Sequence, residues 1–174
     1  MKPVYRFLPV LFIVTFLMVS CGYHNPNIYT GPARSIYITE WKNRTNVMDL
    51  HSKIYRSLTK WFQKSSSISI VNSKKSADLI LAGEIVSIDL PSLSYGIDST
   101  TNEVKVRLRI RYILKEIATN KILLEIPNEV WTQEYLSGTS SSENADNETE
   151  ALNIIIEDLA QKIYRNSISG LPQL

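Results

Sequence analysis

The chain has 174 residues, 44% of them apolar, and 19 Lys and Arg set against 17 Asp and Glu. That length suits one domain with its own core rather than several. A single cysteine excludes an internal disulfide framework and a cysteine-based zinc site, and the near balance of charge offers no global field for nucleic acid.

Lys2 and Arg6 form a short basic leader before FLPVLFIVTFLMV, residues 7–19. Those 13 residues fall short of the roughly 20 that span a bilayer, but they fit the apolar region of a secretory signal. The run ends at Met18-Val19-Ser20-Cys21, which resembles a bacterial lipobox with Met18 in the place of the usual leucine. On this reading residues 1–20 are a signal peptide and Cys21 is the lipidation site. The plainer reading of an odd cysteine in a secreted chain is a free thiol or an intermolecular bridge. A thiol-linked diacylglyceryl group with an N-terminal acyl chain, such as palmitate, exceeds the two chains or so that stable anchoring needs. Gly22 follows Cys21 where aspartate would signal retention, so the resemblance to Gram-negative lipoprotein sorting points to the outer membrane. Without Lys2 and Arg6 the chain carries 17 cations and 17 anions, so electrostatic function must come from local patches.

Residues 21–34, with Pro26, Gly31 and Pro32, read as a tether. A domain is expected over residues 35–170, with 171–174 as a tail. SIYITEW, residues 35–41, alternates as a strand, and KNRTN turns the chain. Residues 48–65 predict an amphipathic helix with Leu50, Ile54, Leu58, Trp61 and Phe62 on its apolar stripe. A short strand centres on Ile68 and Ile70. ADLILAGEIVSIDL, residues 77–90, predicts a strand whose continuous stretch Leu79–Ala82 suits cover on both sides. Gly83 inside it marks a bulge or a close backbone approach. After the loop 91–102, VKVRLRIRY (residues 104–112) opens a strand running to about Glu116. ATN turns into KILLEIPNEVWTQEYL, and Pro127 places that strand at an edge or interrupts it. Residues 137–150 are polar and of low complexity, and they read as a mobile loop. A second helix follows, with Asn147 and Glu150 at capping-box spacing. Its stripe is Leu152, Ile155, Ile156, Leu159 and Ile163, and Gly170 with Pro172 marks its end. The order predicts an α+β two-layer sandwich: two helices on one face of a mixed sheet of four to five strands.

Chemistry-bearing residues are sparse. His24 lies in the tether and His51 on the first helix, neither in a context for a Ser-His-Asp arrangement. No glycine-rich phosphate loop or calcium-loop spacing occurs. No cofactor is expected. The notable feature is the row Lys105, Arg107, Arg109 and Arg111, which period-two spacing puts on one face of a strand. Either that face is plainly solvated, with Glu84, Glu125 or Glu129 neutralising it, or it binds something. Trp131 and Tyr135, on the rim strand, would add aromatic surface to a binding face.

A lipobox cysteine followed by Gly22-Tyr23, then Ile36-Tyr37-Ile38 through Asn43-Arg44-Thr45, an amphipathic helix, Ala77-Asp78 with Gly83, long strands and a terminal helix resemble the LptE family. The likeness runs from Cys21 to about residue 168. It implies an outer-membrane lipoprotein, on the periplasmic side, without enzymatic activity. It implies as partners the β-barrel LptD, which such proteins plug and help assemble, and lipopolysaccharide in transit. Lys105, Arg107, Arg109 and Arg111 are then the first candidates for contact with lipopolysaccharide or barrel, since arginine suits phosphate. The alternatives are a lipoprotein subunit of another envelope machine, such as a secretion channel, or a lipid-anchored enzyme, which two poorly placed histidines disfavour.

Overall fold

The computed structural model describes residues 29–90 and 103–171. The signal segment, Cys21, His24, residues 22–28 of the tether, the 91–102 loop with Tyr95, and residues 172–174 lie outside the described residues.

The elements in order are β1 (Arg34–Ile38), β2 (Lys42–Asn43), α1 (Leu50–Phe62), β3 (Ile68–Ile70), a 3-10 turn at Lys74–Ser76, β4 (Leu79–Asp89), β5 (Glu103–Glu116), β6 (Ile122–Leu136) and α2 (Ser141–Ser169). One mixed sheet runs β3-β1-β4-β5-β6, and β2 continues beyond β1 along the same edge of β4. The β1, β2, β3 and β4 pairings are parallel, whereas β4-β5 and β5-β6 are antiparallel. Both helices pack on one face, so the α+β two-layer sandwich stands, with the short β2 as a sixth strand.

The predicted stripes are what the helices bury. Leu50, Ile54, Leu58 and Phe62 of α1 meet Leu152, Ile155, Ile156, Leu159 and Ile163 of α2 in the same core as Leu79, Leu81, Ile85, Val106, Leu108 and Ile110. Each such side chain contributes roughly 1.5–3 kcal/mol on leaving water. Trp61 is only half buried, because its indole Nε1 donates to Glu157 of α2 at 3.0 Å. Ser57 Oγ donates to the same carboxylate at 2.6 Å, so Glu157 ties the helices together.

Asp49 holds the N-cap position of α1 at φ 58 with no side-chain cap bond. The expected mobile loop 137–150 is largely helix. Ser140 is the N-cap of α2, its hydroxyl accepting from the Glu143 amide at 3.2 Å. Glu143 returns to the Thr139 amide at 2.7 Å. The capping pair is therefore Ser140 and Glu143, two turns before Asn147 and Glu150. Asn120, at φ 62, makes the predicted β5-β6 turn in a conformation asparagine tolerates. Tyr29 is fully buried, its carbonyl accepting from Ser65 Oγ at 2.9 Å.

Gly83 is a close approach, as anticipated. The indole of the buried Trp41, from the link between β1 and β2, lies flat on it and stacks with Tyr112 of β5 at 6.3 Å between centroids. Any Cβ on Gly83 would overlap the indole atom Cε2. Gly83→Ala should therefore cost about 1–3 kcal/mol as an overpacked site. A lower urea midpoint at an unchanged slope is the expected reading.

Glu157 supports a pH prediction. The Ser57 hydroxyl, chiefly, holds its carboxyl below the ordinary value, with burial opposing and Lys60 and Trp61 adding to the lowering. A depressed carboxylate stabilises fully above its unfolded pKa, near 4.3, and loses that contribution as pH falls through the lower folded value. Glu157→Gln should thus lower stability at neutral pH by under about 1 kcal/mol, the carboxylate being 42% exposed to screening water. Urea titrations at falling pH should show the two chains converging.

Candidate functional site

β5 lies between β4 and β6, and its period of two holds along its length. Val106, Leu108, Ile110, Tyr112 and Leu114 are buried under the helices, and Lys105, Arg107, Arg109 and Arg111 are exposed on the other face. That second face has no described element over it. Ile80 and Ala82 of β4 are consequently only half buried, so the expected two-sided cover of Leu79–Ala82 is one-sided. Val130 and Leu136 of β6 are 45% and 66% exposed.

The register decides which cations are paired. Glu84 stands opposite Arg111, whose Nε donates to it at 2.7 Å. Arg44, just after β2, reaches the same carboxylate from the other side. Two arginines thus cover Glu84, which is 8% exposed although it lies on the open face. Lys105 pairs with its cross-strand neighbour Glu134 at 2.6 Å. Arg107 faces Asp89 and Thr132, and Arg109 faces Ser87 and Val130. Among the described residues, no ion pair or side-chain hydrogen bond engages either one. Of the four predicted cations, the two at the ends of the row form ion pairs, and the two in the middle form none among the described residues. Arg107 and Arg109 are two residues apart, about 7 Å along the strand.

Glu125 faces Ile113 and meets none of the row. Glu129 turns to the helix side and pairs with Lys162 of α2 at 2.5 Å. The reason is a bulge: Pro127 and Asn128 together stand against Arg111, so β6 changes its face parity there. Pro127 therefore sits on an edge strand and at an interruption, as its missing N–H requires. The same parity change removes Trp131 and Tyr135 from the arginine face. Trp131 lies under Lys162, 5.2 Å from its Nζ, and the Tyr135 hydroxyl donates to Glu148 at 3.3 Å. Burial, with Glu148 alongside, pushes Tyr135 up to about 12. Tyr112 is also raised to about 12, by burial first, with the Asn166 amide opposing and Glu129 adding. A cleft of about 320 Å³ opens at the bulge, between Ala82, Ile113 and Pro127 and beside the Glu84–Arg111 pair.

His51 has a partner the sequence did not suggest: its Nε2 lies 3.2 Å from Glu40 Oε1. Ser52 lines a second cleft together with Glu40 and His51, but among the described residues no hydrogen bond joins it to His51. Among the described residues no group of three or more His, Cys, Asp or Glu could hold a metal ion. No described helix is long and apolar enough to cross a membrane.

Arg44 is the site residue that sequence reasoning missed. Its segment was legible as a motif, and the structure shows what that motif does. Asn43 Oδ1 accepts from the Thr45 amide at 2.9 Å and from its hydroxyl at 2.7 Å, while Asn43 Nδ2 donates to the Val47 carbonyl at 2.8 Å. This turn aims Arg44 at Glu84. Asp78 accepts from the Ser35 amide and from its hydroxyl, both at 2.7 Å, which closes β1 onto β4 at the other end. Those bonds, the backbone one first, hold the Asp78 carboxyl below its ordinary value.

A family model for LptE, described as lipopolysaccharide-assembly, matches residues 33–167. The chain belongs to the LptE family. No curated protein sequence matches it. Among solved structures, it is similar to rare lipoprotein B from Shewanella oneidensis at 12% identity and a TM-score of 0.56, over 78% of this chain and 94% of that one. It is also similar to lipoprotein B from Nitrosomonas europaea at 18% identity and a TM-score of 0.51, over 81% and 84%. At such identities the likeness is one of fold. In this LptE-family chain the motif residues Asn43, Thr45, Asp78 and Gly83 hold the sheet together, while Arg107 and Arg109 lie exposed on its open face without an ion pair among the described residues.

Proposed function

We propose that this chain is an outer-membrane lipoprotein, anchored through acylated Cys21 after removal of residues 1–20, that plugs and helps assemble an LptD barrel and binds lipopolysaccharide on its way to the outer leaflet. Family membership supports the assembly role. The observation that carries the binding role is the sheet face with no described element over it, where Asp89 stands opposite Arg107 but no ion pair engages Arg107 or Arg109 among the described residues. The strand sets the two arginine backbones about 7 Å apart on one face, and guanidinium donors match phosphate oxygens. The exposed Val130 and Leu136 on the same face suit acyl chains or an apolar barrel wall. The mechanism is binding, with no covalent step.

Affinity purification from detergent-solubilised membranes tests the partner. The expected copurifying protein is a lipopolysaccharide-transport barrel, and a secretion channel in its place would reassign the chain to another envelope machine. The binding role has its own readout. Arg107→Glu with Arg109→Glu should weaken lipopolysaccharide binding about tenfold or more, at 1–3 kcal/mol per charge-assisted contact. Lys105→Gln should change it less, and Glu84→Gln, which frees Arg44 and Arg111, should tighten it. Unchanged binding by the folded double variant would return the ridge to a solvated face.

A further inference from the structure

The chain gathers exposed lysines at one end of its long axis and carboxylates of α2 at the other, where Lys105 and Arg107 of β5 also lie. β1 rises from the end where Tyr29 enters, α1 runs back to it, β5 ends there, and α2 descends to it from the far end. The backbone contacts gather four segments at the Tyr29 end. Arg34 N donates to the Ser67 carbonyl at 2.9 Å, Ile117 N to the Asp78 carbonyl at 2.8 Å, and Glu116 N to the Lys121 carbonyl at 2.8 Å. This end exposes Lys64, Lys74, Lys75, Lys121 and Arg165, and no ion pair engages them among the described residues. Its carboxylates are engaged within the fold: Asp78 by Ser35, and Glu116 by Arg34 and Thr119. Ile122, beside Lys121, is 49% exposed. The opposite end carries Glu143, Asp146, Glu148 and Glu150 in the first turns of α2, a 29-residue helix about 43 Å long.

We propose that the basic end is a lipid-facing surface that rests on anionic phospholipid headgroups, with Ile122 dipping between them and the acidic end held away. Lysines outside any ion pair among the described residues, of which Lys64 stands 3.1 Å over the Trp61 ring, and one exposed apolar side chain fit the chemistry of such a surface. The place of the chain's entry supports that occupant, since Cys21 lies eight residues before Tyr29 and can be no more than about 29 Å from it. A chain with 19 Lys and Arg against 17 Asp and Glu feels little net pull from solution, and screening confines each charge to about 10 Å at 0.1 M salt. The segregation therefore acts once an anchor has brought the chain to the surface, and sets which end faces the lipid. The proposal rests on the anchoring read from Cys21 for that proximity alone, and it concerns a surface separate from the arginine face.

The test is hydrogen exchange by mass spectrometry on the full lipoprotein with excess vesicles. One set is phosphatidylcholine alone and the other has about a third phosphatidylglycerol. Segments 73–78 and 117–122 should exchange about threefold or more slowly on the anionic vesicles, while 141–150 should not change. Salt at about 1 M, where screening shortens to about 3 Å, should abolish the difference. So should Lys74→Glu, Lys75→Glu and Lys121→Glu together, at surface positions whose fold circular dichroism can check. Retention on neutral vesicles through a carbonate wash reads the anchor separately, so its failure is distinguishable. Equal exchange on both vesicles overturns the proposal, as does a difference that survives in the triple variant. Slowing by polyglutamate peptide but not by anionic vesicles assigns the end to an acidic protein and equally overturns it.

Discussion

The indole of Trp41 resting on Gly83 is the contact around which the sheet is organised. β1 and β2 pair with the same edge of β4, and a gap separates them where the chain leaves the ladder after Ile38 and rejoins it at Lys42. Trp41 fills that gap from the helix side, and only a residue without a Cβ lets the ring lie against the β4 backbone. Tyr112 of β5 then stacks on the ring, which carries the packing across to the next strand. Asp78 with Ser35 fastens one end of this seam, and Arg44 with Glu84 fastens the other. The short motifs by which the chain resembles its family fall largely on these positions. They report how the sheet is assembled.

The seam also prepares the open face. Placing both helices on one side leaves the other side of β4, β5 and β6 to carry charge at fixed spacing. Antiparallel pairing then chooses among the cations. Glu84 meets Arg111 and Glu134 meets Lys105 because the register puts them opposite one another. Arg107 and Arg109 receive Asp89, Thr132, Ser87 and Val130 as neighbours and form no ion pair among the described residues. A row of four like charges is thus reduced to two, set between neutralised ends. The helix side absorbs its own polar groups differently, with Glu157 shared by Ser57 and Trp61, and Glu129 held by Lys162.

What the sequence determined by itself was everything that depends on local period and local backbone chemistry. The alternation in residues 104–112 separated the buried from the exposed face of β5, the helix stripes named the core, and Pro127 foretold the broken edge strand. Ser140 and Glu143 carried an equally local capping signal, obscured by the polar composition around them. The tertiary structure alone decided which residues share a face where a strand is bulged. One extra residue near Val86 and another at Pro127–Asn128 reverse the parity of β4 and β6. Ile88 moves to the core side and Asp89 to the arginines, while Glu129, Trp131 and Tyr135 turn beneath α2. Side chains on a strand alternate with a period of two, so a slip of one residue exchanges every face beyond it. Where that slip falls is set by pairing with the neighbouring strand, which no single stretch of sequence contains.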